Sequence, residues 1–173
     1  MKVAFIGHTR LGKKANTKLL EKKVEKAVEI LITQYGADEF IFGSMIGFGD
    51  LCHIVVTQLK EKYPHIIRTY RSQFVLSKKE VQRILNKHFE KCEIPSSDRE
   101  MGKASHIKRN EKMIDDCDLL ITFFDKDYEP RFKYYEEVSY SQKDNNTPPM
   151  GITKIALNYA FKRDKKCINL FEE

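Results

Sequence analysis

Short apolar runs alternate with longer stretches of helical spacing along the chain, and this alternation limits the fold more than any other feature. This alternation predicts an α/β fold with a parallel sheet covered by helices on both faces. The predicted strands are KVAFIG (2–7), EFIFG (39–43), HIIRTY (65–70), DLLITFF (118–124) and KCINLF (166–171). The predicted helices lie near residues 15–35, 48–62, 77–91, 99–116 and 152–164.

One segment, residues 126–150, departs from the alternation because it is polar, rich in tyrosine and bounded by prolines. It is typical of an inserted loop or lid. A chain of 173 residues with 41% apolar content suffices for one domain, so we predict a single domain over 1–173 with this insertion. No run is long enough for a membrane span or signal peptide, and the four cysteines lack zinc spacing, which predicts a cytoplasmic protein without a metal site.

Ligands of an open parallel sheet bind beyond the carboxyl ends of the strands, where neighbouring crossovers diverge. That rule selects four stretches: GHTR (7–10), GSMIGFGD (43–50), the region after Phe124, and MGITK (150–154). Three glycines fall within seven residues of the second stretch, at 43, 47 and 49. They either let backbone N–H groups approach a phosphate or simply form a tight turn, and the sequence leaves both open.

The first loop also raises the hypothesis of a P-loop, in which a glycine is followed after four residues by Gly-Lys-Ser/Thr. Gly7, Gly12 and Lys13 fit this pattern, and Asp125 ends an apolar strand as a Walker-B carboxylate would. Lys14, however, stands where the magnesium-binding hydroxyl should be. The sequence therefore predicts that phosphate binding does not require Mg²⁺.

The net charge of +6 comes mostly from lysines that share helix faces with glutamates. Such lysines form an ordinary solvated surface or attract anions at long range, and both readings stay open. No RNA-binding aromatic signature or zinc finger accompanies the charge, so an anionic small molecule is favoured over nucleic acid as the partner.

Several motifs occur together in the order and spacing of a known family. They are FIGHTR, GSMIGFGD followed by HIVVTQLKEKYP, MGKASHIKRNEKMIDDCDLLITFFD, and GITKIALNYAFKRDKKCINLF. Over nearly its whole length the chain resembles the YpsA-like proteins of the SLOG superfamily, which are Rossmann-like domains related to DNA-processing protein A and to LOG-type phosphoribohydrolases. The resemblance implies a doubly wound, mainly parallel sheet and a pocket for a nucleotide or nucleotide-sugar. It also makes Gly12-Lys13 an accident of a lysine-rich helix start.

The resemblance also implies a set of ligand-binding residues. Arg109 suits phosphate because its guanidinium is a planar fork of donors, although a helix arginine is as often solvated or paired with an acid such as Asp98 or Glu111. His8 donates to a ligand or is satisfied within the protein, and Asp125 reaches ligand hydroxyls or caps a turn. The full set is Gly7, His8, Thr9 and Arg10 in the first loop, Gly43, Ser44, Gly47 and Asp50 in the second, Arg109 and Asn110, Asp125, and Gly151 with Thr153.

The last motif departs from the family pattern. Relatives often have Ser-Gly-Thr-Lys at this helix start, whereas here Ile152 separates Gly151 from Thr153. In the phosphoribohydrolase branch a catalytic glutamate follows three residues after the threonine, and the matching residue is Ala156. Glu136 or Glu137 could replace it only if the insertion folded over the pocket, and a surface loop is the alternative for that segment.

Two classes of function follow from the resemblance. The first is a binding module or sensor for a nucleotide-derived ligand, such as an ADP-ribose-like signal, without a cofactor. The second is a hydrolase of the N-glycosidic bond of nucleotides, in which a carboxylate stabilises the transition state. Ala156 favours the first class. A single-domain sensor needs a partner for its output, so an effector protein or a homo-oligomer stays open, while DNA binding ranks third.

Overall fold

The computed structural model describes residues 1–11, 16–86, 89–97, 104–128 and 150–171, and every structural statement concerns these ranges. They contain six strands: β1 (Lys2–Gly7), β2 (Glu39–Phe42), β3 (Ile67–Arg71), β4 (Lys91–Glu93), β5 (Leu119–Phe123) and β6 (Lys166–Asn169). The same ranges contain five helices: α1 (Thr17–Tyr35), α2 (Phe48–Lys62), α3 (Lys78–Leu85), α4 (Ser105–Asp116) and α5 (Ile152–Lys162).

The six strands form one parallel sheet in the order β4-β3-β2-β1-β5-β6. Val3 in β1 lies opposite Phe40 of β2 on one side and Leu119 of β5 on the other. From β1 the chain moves outward to β4 and then returns to the other side of β1 at β5, so the crossovers diverge between these two strands. The sheet is Rossmann-like and doubly wound, which confirms the predicted fold class.

The core has two layers because successive side chains of a strand point to opposite faces. Val3 and Phe5 pack with α1 and α2 on one face, where the Phe5 ring stacks on Phe42 at 5.1 Å between centroids. Ala4 and Ile6 pack with α4 and α5 on the other face. Both faces are therefore apolar, as the unbroken apolar strand runs predict.

Local signals set the ends of α1. The Asn16 side chain accepts a hydrogen bond from the Leu19 N–H at 3.2 Å, which caps the first turn. Gly36 ends the helix in the left-handed conformation with φ 66°. The observed helix begins two residues after the predicted start at residue 15 and ends at the predicted residue.

The structure adds one strand and shortens one helix relative to the prediction. β4 was not predicted because three residues, Lys91–Glu93, are too few to show a period. α3 ends at Leu85, so the prediction of a helix through residue 91 was wrong. The start of the predicted helix at 99–116 and most of the predicted insertion, residues 129–149, lie outside the described residues. Within the described ranges, no helix has the length and apolar character that a membrane span requires.

Candidate functional site

A cleft of about 670 Å³ lies beyond the carboxyl ends of the central strands, and we call it the edge cleft. Its walls come from the loops that follow β1, β2 and β3, from α4, from the start of α5, and from Tyr128 after β5. The described residues that line it are Phe5–Arg10, Gly43–Ile46, Gly49, Tyr70, Ser72–Phe74, Leu76, Ile84, His106, Arg109, Asn110, Tyr128, Ile152 and Thr153.

Most of the residues predicted from the sequence meet in this cleft. Those that line it are Gly7, His8, Thr9, Arg10, Gly43, Ser44, Arg109, Asn110 and Thr153. The predicted residues that do not line it are Gly47, Asp50, Asp125 and Gly151. Gly47 and Gly151 instead precede the first residues of α2 and α5, and Asp50 lies in the first turn of α2.

Gly47 joins the first loop to the second. Its φ of 59° and ψ of −127° suit glycine, and a Cβ there would overlap the backbone of Thr9 and the carbonyl oxygen of His8. The next residue, Phe48, donates its N–H to the same His8 oxygen at 3.1 Å. This close approach holds the start of α2 against the first loop.

His8 is satisfied within the protein through one ring nitrogen. Its Nε2 accepts a hydrogen bond from the Asp125 N–H at 2.9 Å, and its ring lies 4.1 Å from that of Tyr128 between centroids. Burial lowers the pKa of His8, although Asp125 acts in the opposite direction. The same Nε2 lies 3.3 Å from the Asp125 carbonyl oxygen, to which a ring protonated at Nε2 would donate. The Asp125 carboxylate caps a turn by accepting from the Asp127 N–H at 2.9 Å.

Arg109 is held in place by two neutral side chains. Its Nε and Nη2 donate to Oδ1 of the buried Asn110 at 3.3 and 3.0 Å. Its Nη1 donates to Oε1 of Gln73 at 3.3 Å. Gly43 makes room for this arrangement, because a Cβ there would come within 2.6 Å of the Arg109 Nε. The guanidinium is thus fixed by amide oxygens at the end of β2.

No carboxylate of the described residues pairs with Arg109, and Asp98, one of the two partners that the sequence allowed, lies outside the described residues. Other arginines of the sheet do have such partners, since Arg68 lies 2.6 Å from Glu90 and Arg71 lies 2.6 Å from Asp116. Burial lowers the pKa of Arg109 to about 10, partly offset by Tyr70. The side chain still carries its proton at neutral pH. It is therefore a half-buried, partly desolvated cation whose charge no described acid neutralises.

The other charged side chain in the described lining of the cleft is positive, like Arg109. The described lining contains Arg10 and Arg109 and not a single aspartate or glutamate. α2 and α5 both begin at this edge, and neither has a side-chain hydrogen bond at its N-cap, Gly47 or Gly151. Helix N-termini favour negative charge. The cleft is chemically suited to an anion.

Sequence reasoning missed the wall that follows β3. Tyr70, Ser72, Gln73, Phe74 and Leu76 line the cleft although the stretch that they span was not selected. It contains no glycine, so it lacked the signal that marked the other loops. The rule that ligands bind beyond strand ends, applied to every predicted strand, could have found it. Met45, Ile46 and Tyr128 lie in selected stretches without having been named as ligand-binding residues, whereas Ile84 and His106 lie outside those stretches.

Ala156 does not face the edge cleft. It is 2% exposed and packs in the layer that contains Met113, Ile114 and Ala160. The described residues that line the cleft include no aspartate or glutamate. Glu136 and Glu137, like Gly12, Lys13 and Lys14 of the P-loop hypothesis, lie outside the described residues. Across the described ranges, no group of three His, Cys, Asp or Glu side chains could hold a metal ion.

Comparison with known proteins agrees with the fold and with the motifs that meet in the cleft. Residues 10–158 match the YspA SLOG family, which is most of the chain and includes the second loop, Arg109, Asn110 and the start of α5. None of the curated proteins gives a significant match. From the extent of the family match and the parallel sheet that carries it, we conclude that this chain belongs to the YspA SLOG family.

Proposed function

We propose that this protein binds a nucleotide or nucleotide-derived ligand in the edge cleft, as a binding module or sensor, with a phosphate of the ligand against Arg109. Membership of a SLOG family points to nucleotide-related binding or processing. The volume of about 670 Å³ is within the range of small-molecule sites and leaves room for a ligand as large as an ADP-ribose-like molecule.

The observation that carries this proposal is the guanidinium of Arg109 without a described carboxylate partner. A charge removed from water costs free energy unless an opposite charge compensates it. The neutral clamp of Asn110 and Gln73 orients the donors of Arg109 and leaves its positive charge available. A phosphate supplies both the missing charge and acceptor oxygens for the planar fork.

Replacing Arg109 with methionine is expected to lower the affinity for the ligand by about 10- to 150-fold, the usual effect of losing a hydrogen bond to a charged group. The experiment is a thermal-shift panel of nucleoside mono- and diphosphates, NAD, ADP-ribose and nucleotide-sugars, with and without EDTA. A ligand at 100 times its Kd stabilises the wild-type protein by about 2.7 kcal/mol. The shift should be insensitive to EDTA, because Mg²⁺ is not required.

The matched control for this variant is Arg163→Met. It removes the same charge from an exposed arginine that pairs with Asp115 near the end of α5, far along the helix from the cleft. It should keep the full ligand-induced shift. If no phosphate compound stabilises the wild-type protein, or if Arg109→Met and Arg163→Met bind equally well, the proposed function is wrong.

Hydrolysis of the N-glycosidic bond has less support than binding. The reaction needs a carboxylate near the sugar, and the described lining of the cleft supplies none. We therefore expect the protein to release free base from nucleoside monophosphates only at a trace rate. Chromatography of the free base measures this rate. Rapid release that Glu136→Gln or Glu137→Gln abolishes would contradict this prediction and favour the enzyme.

A further inference from the structure

The edge cleft has an apolar side as well as a cationic one. Met45 and Ile46 follow β2, Phe74 and Leu76 follow β3, and Ile84 belongs to α3; we call these five residues the apolar shelf. Three of them are unusually exposed for large apolar side chains, at 36% for Met45, 59% for Ile46 and 51% for Phe74. Apolar side chains from three chain segments thus line one cleft, and three of them are exposed to water. Such a grouping is typical of a ligand surface.

Local structure holds the shelf in place. The Phe74 N–H donates to Oγ of Ser72 at 3.1 Å, which fixes the turn after β3. α3 begins with a capping box in which Ser77 and Glu80 bond each other's backbone N–H groups. No residue of α3 is fully buried, and Ile84 is partly buried where it packs against the core. The helix also contributes Ile84 to the cleft wall.

The shelf is directly joined to the anion site. Gln73 accepts from Arg109, and Phe74 is the next residue, so about 3.8 Å of chain separates the two Cα atoms that carry the clamp and the shelf. Gln73, Phe74 and Arg109 also line the same cleft, so one ligand can contact Arg109 and the shelf together. None of the five shelf side chains offers a hydrogen bond of ordinary strength, so they favour the flat face of a ring over sugar hydroxyls.

Because of this continuity, we infer that the apolar shelf holds the base of a nucleotide whose phosphate lies against Arg109. The ligand class is then a nucleotide with an aromatic base, and sugar phosphates and inorganic phosphate are excluded as principal ligands. This inference rests on the proposed function and adds the residues that recognise the base. Recognition through a π-face tolerates different bases, so purine and pyrimidine nucleotides should differ less in affinity than nucleotides and sugar phosphates do.

The experiment measures the Kd of AMP, GMP, CMP, UMP and ribose 5-phosphate by calorimetry for the wild-type protein, Phe74→Ala, Ile46→Ala and Arg109→Met. Each shelf variant should weaken the tightest nucleotide by about 5- to 150-fold, the range for loss of one base contact. The same variants should leave the affinity for ribose 5-phosphate unchanged. Arg109→Met should weaken the nucleotides and ribose 5-phosphate alike. Phe161→Ala is the matched control, since Phe161 is 65% exposed on α5 and does not line the cleft.

The outcomes separate the two proposals. If nucleotides bind but the shelf variants do not change their affinity, or ribose 5-phosphate binds as tightly as the nucleotides, the base site is refuted and the anion site stands. If no phosphate compound binds, the proposed function is wrong, and the base site, which rests on it, is refuted as well. The alternative occupant of the shelf is a second copy of the chain, and size-exclusion chromatography tests for it. A shelf variant that alters the oligomeric state without altering nucleotide affinity would show a contact between copies and overturn the inference.

Discussion

Asn110→Asp is expected to abolish ligand binding and at the same time to stabilise the free protein. The substitution keeps the shape of the side chain and places a carboxylate oxygen 3.0 Å from Nη2 of Arg109. At an effective dielectric constant of 20, opposite charges 4 Å apart attract by about 4 kcal/mol. The new carboxylate would form an ion pair with Arg109 and so compete with the phosphate of the ligand. We expect an affinity loss of about 100-fold or more, measured by calorimetry.

The stability change has the opposite sign. The cation of Arg109 gains a compensating charge, so the free energy of unfolding should rise by about 1–2 kcal/mol, less than the Coulomb energy because the carboxylate is itself desolvated. Urea unfolding of the free protein measures this change. A variant that binds normally, or that loses both binding and stability, would show that the charge of Arg109 is not what the cleft offers to its ligand.

Gln73→Glu is the companion variant for this test. It places a carboxylate near Nη1 of Arg109, which now donates to Oε1 of Gln73 at 3.3 Å, and it does so from the loop after β3 instead of from α4. Gln73 is less buried than Asn110, so this variant tolerates the new charge more easily. The same reduction in affinity from both substitutions would locate the effect on the shared partner, Arg109.

Gly47→Ala is expected to have the largest effect on stability of any single glycine substitution in the cleft loops. A side chain at φ 59° costs about 1–3 kcal/mol by itself. The added Cβ would also overlap the backbone of Thr9, which cannot move without shifting the first loop. We expect a loss of at least about 3 kcal/mol, or roughly 6–12 °C in Tm, together with loss of ligand binding.

Gly36→Ala separates the two causes. Gly36 also has a positive φ, 66°, but a Cβ there would meet nothing within 4 Å. The substitution should cost only about 1–2 kcal/mol and leave binding intact. Because ψ is 35° at Gly36 and −127° at Gly47, the backbone strain alone should already be larger at Gly47. A loss at Gly47 no larger than that at Gly36 would therefore show that Gly47 does not hold the first loop in place.

The position of the site was predicted from short local motifs, the turns that directly follow the strands. Glycine turns after β1 and β2 were visible because glycine marks backbone approach wherever it occurs. The wall after β3 could not be predicted because Phe74 looks like an ordinary apolar residue until the fold leaves it exposed. β4 was missed for a related reason, since a three-residue edge strand is identified by its pairing with β3 and has no period of its own.

The sequence by itself determined the fold class, because periodicity reports which side chains must leave water and that requirement is met strand by strand and helix by helix. It also indicated that the loops after β1 and β2 meet at the carboxyl edge, because parallel strands place their following loops together. Only the tertiary structure decided the charge state of the site. Whether Arg109 meets an acid, water or neutral amides depends on Asn110 beside it and on Gln73, 36 residues away in the chain, and on the space that Gly43 leaves. Desolvation is a property of the packed neighbourhood, and no local pattern encodes it.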